Sequence, residues 1–588
     1  MKSRLPAYLT FLQRWVLFGT IVGIVSGIGS TAFYFLLRLS SEFFLGFLGG
    51  YHPPLPGGES SSTFLGQSSM SPWWVLAFLP AIGGLISGII IYSCAPEAEG
   101  HGTDAVIASF HRLHGVIRKR VPLVKTVASL ITIGSGGSAG REGPIAQIGG
   151  GFGSWLASAL KLGVRDRELV MVCGAAAGIG SIFKAPLGGA IFGTEVLYRR
   201  DFEAEALIPV FISSVVAYCV FASFPGVGFT PIFTTPKFVF GHPLEIVFYA
   251  ILGLICGPVS RFYVYVFYGL RDKLFRRINL PNHLKPAIGG GMLGILALFV
   301  PEALGMGYGW IQMAIYGQLA LSAMIILCFA KIFATSFTIS SGGSGGVFAP
   351  SLVIGAMLGG VLGTVFRAIL PAVEPGAFVL VGMAALFSGA AKVPIAALIM
   401  VSEMTGDYTL LAPLMVACAL SYIISGRWTI YENQTLNRAE SPAHRGEYSI
   451  DLLEQMKVKD VMTDKVVTVS PSTSVREFGK LLRSEGHLAY PVLKNGQLVG
   501  IVSLRDYLRV PDDEIDKKKV EDTMSTKLLT LTPEERLDTA LHMIDESGYG
   551  HLPVVDLQDP KKLVGILTKR DIIKGHELAR HRSNESRN

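Results

Sequence analysis

Two glycine-rich loops of one design sit 206 positions apart, and each runs into an apolar helical stretch. The first reads Gly134-Ser135-Gly136-Gly137-Ser138-Ala139-Gly140-Arg141-Glu142-Gly143-Pro144, and the second Ser340-Ser341-Gly342-Gly343-Ser344-Gly345-Gly346-Val347-Phe348-Ala349-Pro350. Gly136 answers to Gly342, Ser138 to Ser344, Gly140 to Gly346 and Pro144 to Pro350. Glycine lets backbone N–H groups come close to a ligand. Proline suits the first helical turn, where its missing N–H is no loss. A helix start presents unpaired N–H donors and the positive end of the helix dipole, and so attracts an anion. Two such starts in a hydrophobic chain imply an anion site inside a membrane, where broken helices meet.

The rest of the chain fits that setting. It has 588 residues, 50% of them apolar, and a mean hydropathy of +0.47, which reads as a polytopic membrane protein with a soluble appendage. The first apolar span, 15–37, is long enough to cross a bilayer. It is no signal peptide, because Lys2 and Arg4 lie well upstream and no cleavage-like site follows. Cys94, Cys173, Cys219, Cys256, Cys328 and Cys418 lie in or beside apolar segments and read as small core residues, with no metal-ligand spacing. No nucleophile–base or metal constellation emerges, so an enzyme is the least favoured class. The net charge of +7 sits in loops and speaks to orientation, not to nucleic acid. Residues 39–72 carry no Lys or Arg, whereas Arg112, Arg118, Lys119, Arg120 and Lys125 cluster in the next connection. The positive-inside rule then makes the N-terminus cytoplasmic and the 39–72 loop external.

A second matched pair strengthens the repeat. Gly174-Ala175-Ala176-Ala177 leads to Phe183-Lys184-Ala185-Pro186 and Glu195; Gly382-Met383-Ala384-Ala385 leads to Ala391-Lys392-Val393-Pro394 and Glu403. Arg271, Lys273, Arg276 and Arg277 follow the span 243–270, which therefore runs from outside to inside, opposite to the first span. Similar halves in opposite orientations make an inverted repeat, with the substrate near the midplane. The halves are read as 13–224 and 243–435 within a membrane domain 1–440. Helix packing alone accounts for Gly149, Gly150, Gly188 and Gly189.

These residues resemble the CLC chloride channel and transporter family. Gly140-Arg141-Glu142-Gly143-Pro144 matches its G-R-E-G-P motif, and Gly345-Gly346-Val347-Phe348-Ala349-Pro350 its G-G-x-F-A-P motif. The resemblance covers about residues 10–435. It implies the α-helical CLC fold, a homodimer with a separate anion pathway in each subunit, and several helices that do not fully span. It places Gly140, Arg141, Gly143, Val347 and Phe348 at the anion site, and Tyr431 where the family has an anion-coordinating tyrosine. Glu142 is the expected gate: ionised, its carboxylate competes for the anion's place; protonated, it can swing out. The Arg141 side chain is expected to pair with a carboxylate or carbonyl. The Phe348 ring either lines the pathway or packs in the core.

Two departures stand out. The family's G-S-G-x-P loop reads Gly100-His101-Gly102-Thr103-Asp104, so His101 replaces the anion-facing serine beside Gly102. An imidazole N–H can donate to an anion. Asp104 replaces the proline and is expected to cap the following helix. Proton-coupled members usually carry a second glutamate just after the one matching Glu195; here that position is Val196, as in channels of the family.

Beyond Arg445 the composition turns charged and two similar units appear. Gly500-Ile501-Val502-Ser503-Leu504-Arg505-Asp506 matches Gly565-Ile566-Leu567-Thr568-Lys569-Arg570-Asp571. They resemble a tandem CBS pair, an α/β regulatory module that often binds adenine nucleotides. The boundaries are 441–457 for a linker, 458–578 for the pair (458–513 and 520–576), and 579–588 for a disordered tail. By resemblance Asp506 and Asp571 would hold a ribose, with Ser503 and Thr568 near phosphate. The same aspartates would serve a purely structural module by capping helices; both readings stand.

The sequence thus leads to a chloride-conducting homodimer of an inner or plasma membrane. The N-terminus and CBS pair would be cytoplasmic, and ATP, ADP or AMP would be the candidate regulators. No cofactor, metal or nucleic acid is called for. Passive conduction is the first expectation because of Val196. The alternatives are a proton/chloride exchanger with an atypical proton path and, more distantly, a divalent cation transporter with CBS domains.

Overall fold

The computed structural model describes residues 11–59, 74–238, 240–241, 243–444, 453–454 and 456–585. Contacts divide the chain into two units, Met1–Ala443 and His444–Asn588.

The first unit holds sixteen α-helices among its described residues. The first half contributes α1 (Phe11–Ser41), α2 (Val75–Cys94), α3 (Gly102–Arg112), α4 (Val121–Gly134), α5 (Glu142–Ala159), α6 (Val164–Ile182), α7 (Pro186–Glu195) and α8 (Leu207–Ala222). The second contributes α9 (Glu245–Leu270), α10 (Lys285–Ala297), α11 (Tyr308–Ile315), α12 (Leu321–Ser340), α13 (Phe348–Ile369), α14 (Pro375–Ala391), α15 (Pro394–Thr405) and α16 (Leu411–Ile424). Each helix of one half has its counterpart in the other. Even a local irregularity recurs: α1 and α9 both loosen into π-helical turns, at Glu42–Leu48 and Arg271–Phe275. Six helical segments among the described residues are long and apolar enough to cross a bilayer. Several others, Val121–Gly134, Pro375–Ala391, Pro394–Thr405 and Leu411–Ile424, are apolar but shorter, as broken helices are.

Without a hydrophobic drive between helices in lipid, close packing carries the association. A Cβ on Gly23 of α1 would lie 2.7 Å from the Ser213 carbonyl of α8, and one on Gly253 of α9 would lie 2.7 Å from that of Ala417 in α16. The same close approach sets α5 on α6, where Gly149 meets the Gly174 carbonyl. Gly188 and Gly189 are likewise required by contact, with Met400 and Gly180. Gly150 is not: a Cβ there would find its nearest neighbour at an ordinary 3.5 Å. All six cysteines are unpaired; four are buried, but Cys94 and Cys219 are exposed on helix surfaces and are not core residues.

Charge placement corrects the loop reading in one respect. Lys125 does not belong to the exposed basic cluster; it is buried within α4.

The second unit contains α17 (Val475–Glu485), an antiparallel β1 (Ala489–Lys494) and β2 (Gln497–Ser503), and α18 (Leu504–Tyr507). It repeats as α19 (Leu537–Ser547), antiparallel β3 (His551–Val555) and β4 (Leu563–Thr568), and α20 (Lys569–Glu585). The repeats exchange their leading segments. Thr463 pairs with Ile566 on β4, and Ser525 with Ile501 on β2. Leu453, Met456 and Val458 pack in the core of the second repeat, and Val520 in that of the first. The end of the expected linker is therefore part of the folded module. Helix α20 also runs through most of the expected disordered tail. Ile572 and Ala579 anchor it in the core, and its Glu, Leu and Ala residues favour helix. Residues 586–588 lie outside the described set.

Candidate functional site

Helices α5 and α13 begin at equivalent positions, Glu142 and Phe348, behind the two glycine loops. The loops meet each other directly. The N–H of Gly140 donates to the Gly346 carbonyl at 2.8 Å, and the N–H of Gly346 donates back at 2.7 Å. Equivalent residues bonding to each other mark the pseudo-twofold axis between the halves. Polar side chains behind the loops follow the same symmetry. The Ser138 hydroxyl meets Thr335 at 3.0 Å, and that of Ser344 meets Ser129 at 2.9 Å.

Glu142 lies on this axis. Its Oε1 accepts the N–H of Phe348, its repeat equivalent, at 2.5 Å. The carboxylate rests in a cradle that only glycine allows: a Cβ on Gly140 or on Gly346 would fall 2.0 Å from a carboxylate oxygen. Its Oε2 is buried and has no hydrogen-bond partner. The side chain thus occupies the helix start of the opposite half, where an anion would be drawn. The Phe348 ring takes the packing alternative, with ring centroids 4.7 Å from Phe183 and 4.4 Å from Phe387. What Phe348 and Val347 bring to the site is backbone at a helix start.

Gly143 stands at the junction of three segments: a Cβ on it would lie 3.0 Å from the Gly346 Cα and 3.2 Å from the Gly102 nitrogen. His101 therefore comes in beside the two glycine loops at the start of α3. Its ring lies 5.5 Å from that of Tyr431 and 5.8 Å from that of Phe267. Both His101 Nδ1 and the Tyr431 hydroxyl are buried without a hydrogen-bond partner of normal geometry, as is the hydroxyl of Tyr263 on α9. Buried polar groups are rarely left unpaired, so a cluster of them marks a place for water or a ligand. Asp104 does not cap α3 as expected, since no side chain caps that helix. Its carboxylate instead accepts the backbone N–H of Asn433 at 2.9 Å and the Asn433 amide at 2.5 Å. That clasp ties the His101 loop of one half to the Tyr431 segment of the other.

Arg141 turns its side chain away. It pairs with Glu59 at 2.8 Å, with both groups buried, and lies over Tyr308, Tyr34 and Phe183. Sequence reasoning anticipated a carboxylate partner but did not single out Glu59.

It also missed two buried cations. Lys125 donates to the carbonyls of Ala98 and Gly100, at 3.0 and 2.6 Å. Lys331 donates to those of Ala303 and Gly305, at 3.0 and 2.7 Å. They are repeat equivalents, and neither has an ion-pair partner among the described residues. The spacing of 206, shared with the glycine loops, was the available signal.

Glu195 and Glu403 make a reciprocal lock. Glu195 accepts the N–H groups of Ile395 and Ala396 at the start of α15, and Glu403 those of Leu187 and Gly188 at the start of α7. This is helix capping across the repeat. Val196, next in sequence, is buried and carries no titratable group.

In the second unit, Asp506 caps α18 by accepting the N–H and hydroxyl of Ser503, and Asp571 does the same with Thr568 at α20. Ser503 and Asp506 also line a cleft of about 370 Å³ with Arg505, Arg509 and Lys527; Thr568 and Asp571 are not in its lining. Burial holds the His551 imidazole, at the same cleft, below its ordinary value of 6.5, with Asp571 pushing it up and His487 down.

Comparison with known proteins accords with this geometry. Residues 83–426 match the voltage gated chloride channel family, and residues 458–513 and 520–576 each match the CBS domain. A relative from Ralstonia nicotianae, named a putative chloride channel protein ClcB-like, is 34% identical over 60% of this chain and 82% of its own. One from Cronobacter sakazakii, named an H(+)/Cl(-) exchange transporter ClcA, is 31% identical over 60% of this chain and 78% of its own. A crystal structure of a eukaryotic CLC transporter covers 95% of this chain and 98% of its own at a TM-score of 0.57 and 19% identity, a likeness of fold. The chain belongs to the CLC family of voltage gated chloride channels and transporters, with a tandem pair of CBS domains at its C-terminal end.

Proposed function

We propose that this chain is a proton-coupled chloride exchanger in which Glu142 both gates the anion path and carries the proton. The carrying observation is the Glu142 carboxylate seated against the Phe348 N–H in a cradle of two glycines. An anion takes that place only when the carboxylate leaves, and protonation removes the charge that holds it there. Anion entry and proton binding at one side chain are thereby linked. The name of the Cronobacter relative supports exchange. Neutralising the side chain tests the link: Glu142→Gln proteoliposomes should pass chloride at a rate independent of pH and move no protons. Unchanged pH dependence in that variant would contradict it.

Passive conduction is the second reading, favoured by Val196, which removes the usual inner carboxylate. Under either reading the anion contacts are the backbone at Gly140, Arg141, Gly143, Val347 and Phe348, with His101, Gly102 and Tyr431 completing the site. Few acidic side chains stand along this path, which disfavours a divalent cation as cargo. The protein works as a homodimer in an inner or plasma membrane, with its N-terminus and CBS pair in the cytoplasm. The CBS cleft at Ser503 and Asp506, with Arg505, Arg509 and Lys527 for phosphates, is the place for an adenine nucleotide. Slower hydrogen exchange at β2 and α18 with millimolar ATP, ADP or AMP would support that; no change with any of them would leave the aspartates as helix caps.

A further inference from the structure

Exchange through Glu142 leaves one leg of the proton's route without a carrier, because position 196 holds valine. Glu195, the neighbour of Val196 in sequence, and the carboxylates around the His101 and Tyr431 segments are already committed. Glu195 spends both oxygens on the N–H groups of Ile395 and Ala396. Asp104 holds Asn433 through both of its own. Glu432 is paired with Arg271 at 2.6 Å, Glu97 with Arg118, and Glu99 accepts the Tyr92 hydroxyl at 2.8 Å.

Among the described residues beside the anion site, the imidazole of His101 is not committed in this way. His101 Nδ1 is buried without a partner, yet the residue as a whole retains partial exposure. Its ring packs on Tyr431, whose hydroxyl has Thr103 beside it but no hydrogen bond of normal geometry, and which lies within electrostatic reach of Glu142. The receiving atom, Glu142 Oε2, likewise makes no hydrogen bond of normal geometry, with the Ala349 N–H near the carboxylate. Buried polar atoms without close partners are the groups to which a bridging water bonds. The charges that act on the ring are Asp104 on its own helix, Lys125 from α4 and Arg271 beyond α9; Tyr431, Glu432 and Glu142 stand on the remaining elements around it.

We propose that His101 is the second proton carrier of this transporter. Its imidazole takes a proton from the solution on its own side and passes it from Nδ1, through water beside Tyr431, to Glu142 Oε2. The imidazole returns to its neutral form and the Glu142 carboxyl becomes neutral, so no charge is created or lost in the step. The neutral carboxyl then leaves the glycine cradle to an incoming anion. A histidine at the position of an anion-facing serine thus replaces a carboxylate missing from position 196.

This inference rests on the exchange reading, and the test separates the two. Full-length wild type, His101→Ser, His101→Asn and His101→Ser/Val196→Glu are compared in proteoliposomes, recording chloride efflux and proton uptake together. Wild type should couple the two. In His101→Ser and His101→Asn the protons moved per chloride should fall by about a hundredfold, the scale of a positioned acid–base group, whatever the change in chloride efflux itself. Val196→Glu should restore that ratio. If wild type couples protons and both single variants keep its proton-to-chloride ratio, His101 is not the carrier and exchange stands. If wild type moves no protons, exchange fails and this inference with it. A readout independent of turnover is calorimetric chloride titration in buffers of different ionisation enthalpy. Glu142→Gln should still take up a proton on binding chloride, and Glu142→Gln/His101→Ser should not. Equal proton uptake in these two variants would also overturn the proposal.

Discussion

At the scale of single residues, the site is governed by what glycine leaves open. A methyl group at Gly346 would collide with Glu142 Oε1. Gly346→Ala should therefore expel the carboxylate from its seat on the Phe348 N–H and give chloride flux as insensitive to pH as that of Glu142→Gln. Flux that keeps the wild-type pH profile would mean the carboxylate does not sit there. The buried lysines act at longer range. Lys125 is within electrostatic reach of Glu142, and its ammonium is bonded only to carbonyls. Lys125→Met should weaken chloride binding on the order of tenfold, the effect of a unit charge within roughly 10 Å at an effective dielectric near 20. Equal chloride affinity by calorimetry would remove that role. The place of Glu142 at a helix start was legible because the Gly-Pro grammar around it recurs at Gly346 and Pro350. Lys125 was not, because in sequence a buried lysine looks like one more loop cation. Only its match with Lys331 distinguishes it.

At the scale of elements, the halves are bolted together by equivalent groups. Glu195 caps α15 and Glu403 caps α7. Glu195→Gln and Glu403→Gln should each cost about 1–2 kcal/mol, the usual value of a charged cap. Both should leave the proton-to-chloride ratio unchanged. Thermal unfolding in detergent reads the first effect and paired flux recordings the second. A changed ratio in Glu195→Gln alone would give Glu195 a place in the proton path. The repeat made these helices readable, since Pro-to-Glu spacing recurs in both halves. The Asp104 clasp was unreadable because its partner Asn433 lies 329 positions away, and local rules name only a helix cap. The CBS strands were legible from their matched runs. The exchange of leading segments was not, since it is a long-range pairing between similar segments.

That exchange bears on the stability of the CBS pair. Because each repeat completes the other's core, the pair should unfold as one. His551 adds a pH dependence of known sign. Burial keeps its imidazole neutral below the ordinary 6.5, so the unfolded chain binds more protons there. The stabilising contribution is present above 6.5 and is lost as pH falls below it. Hydrogen exchange of 551–568 in the full chain should accelerate on acidification, after correction for intrinsic rates, and His551→Gln should remove the effect. The same acceleration in that variant would assign it to another group.

At the scale of the whole molecule, a twofold pseudosymmetry has been broken at its most important position. Two equivalent helix starts face one axis, yet one opens with Glu142 and the other with Phe348. One half supplies the carboxylate and the other its seat. His101 and Tyr431 likewise come from different halves and meet at 5.5 Å between ring centroids. The repeats, their glycine loops and the CBS pair could be read from residues alone. The meeting of the loops on the axis could not, because it depends on how the halves fold together.

The most direct test is the reversal potential of proteoliposomes containing the full chain, measured under a fixed chloride gradient with and without an imposed pH gradient. Proton-coupled exchange predicts that the potential shifts when only the pH gradient changes. A potential that follows chloride alone would contradict exchange and make Val196 the mark of a passive channel.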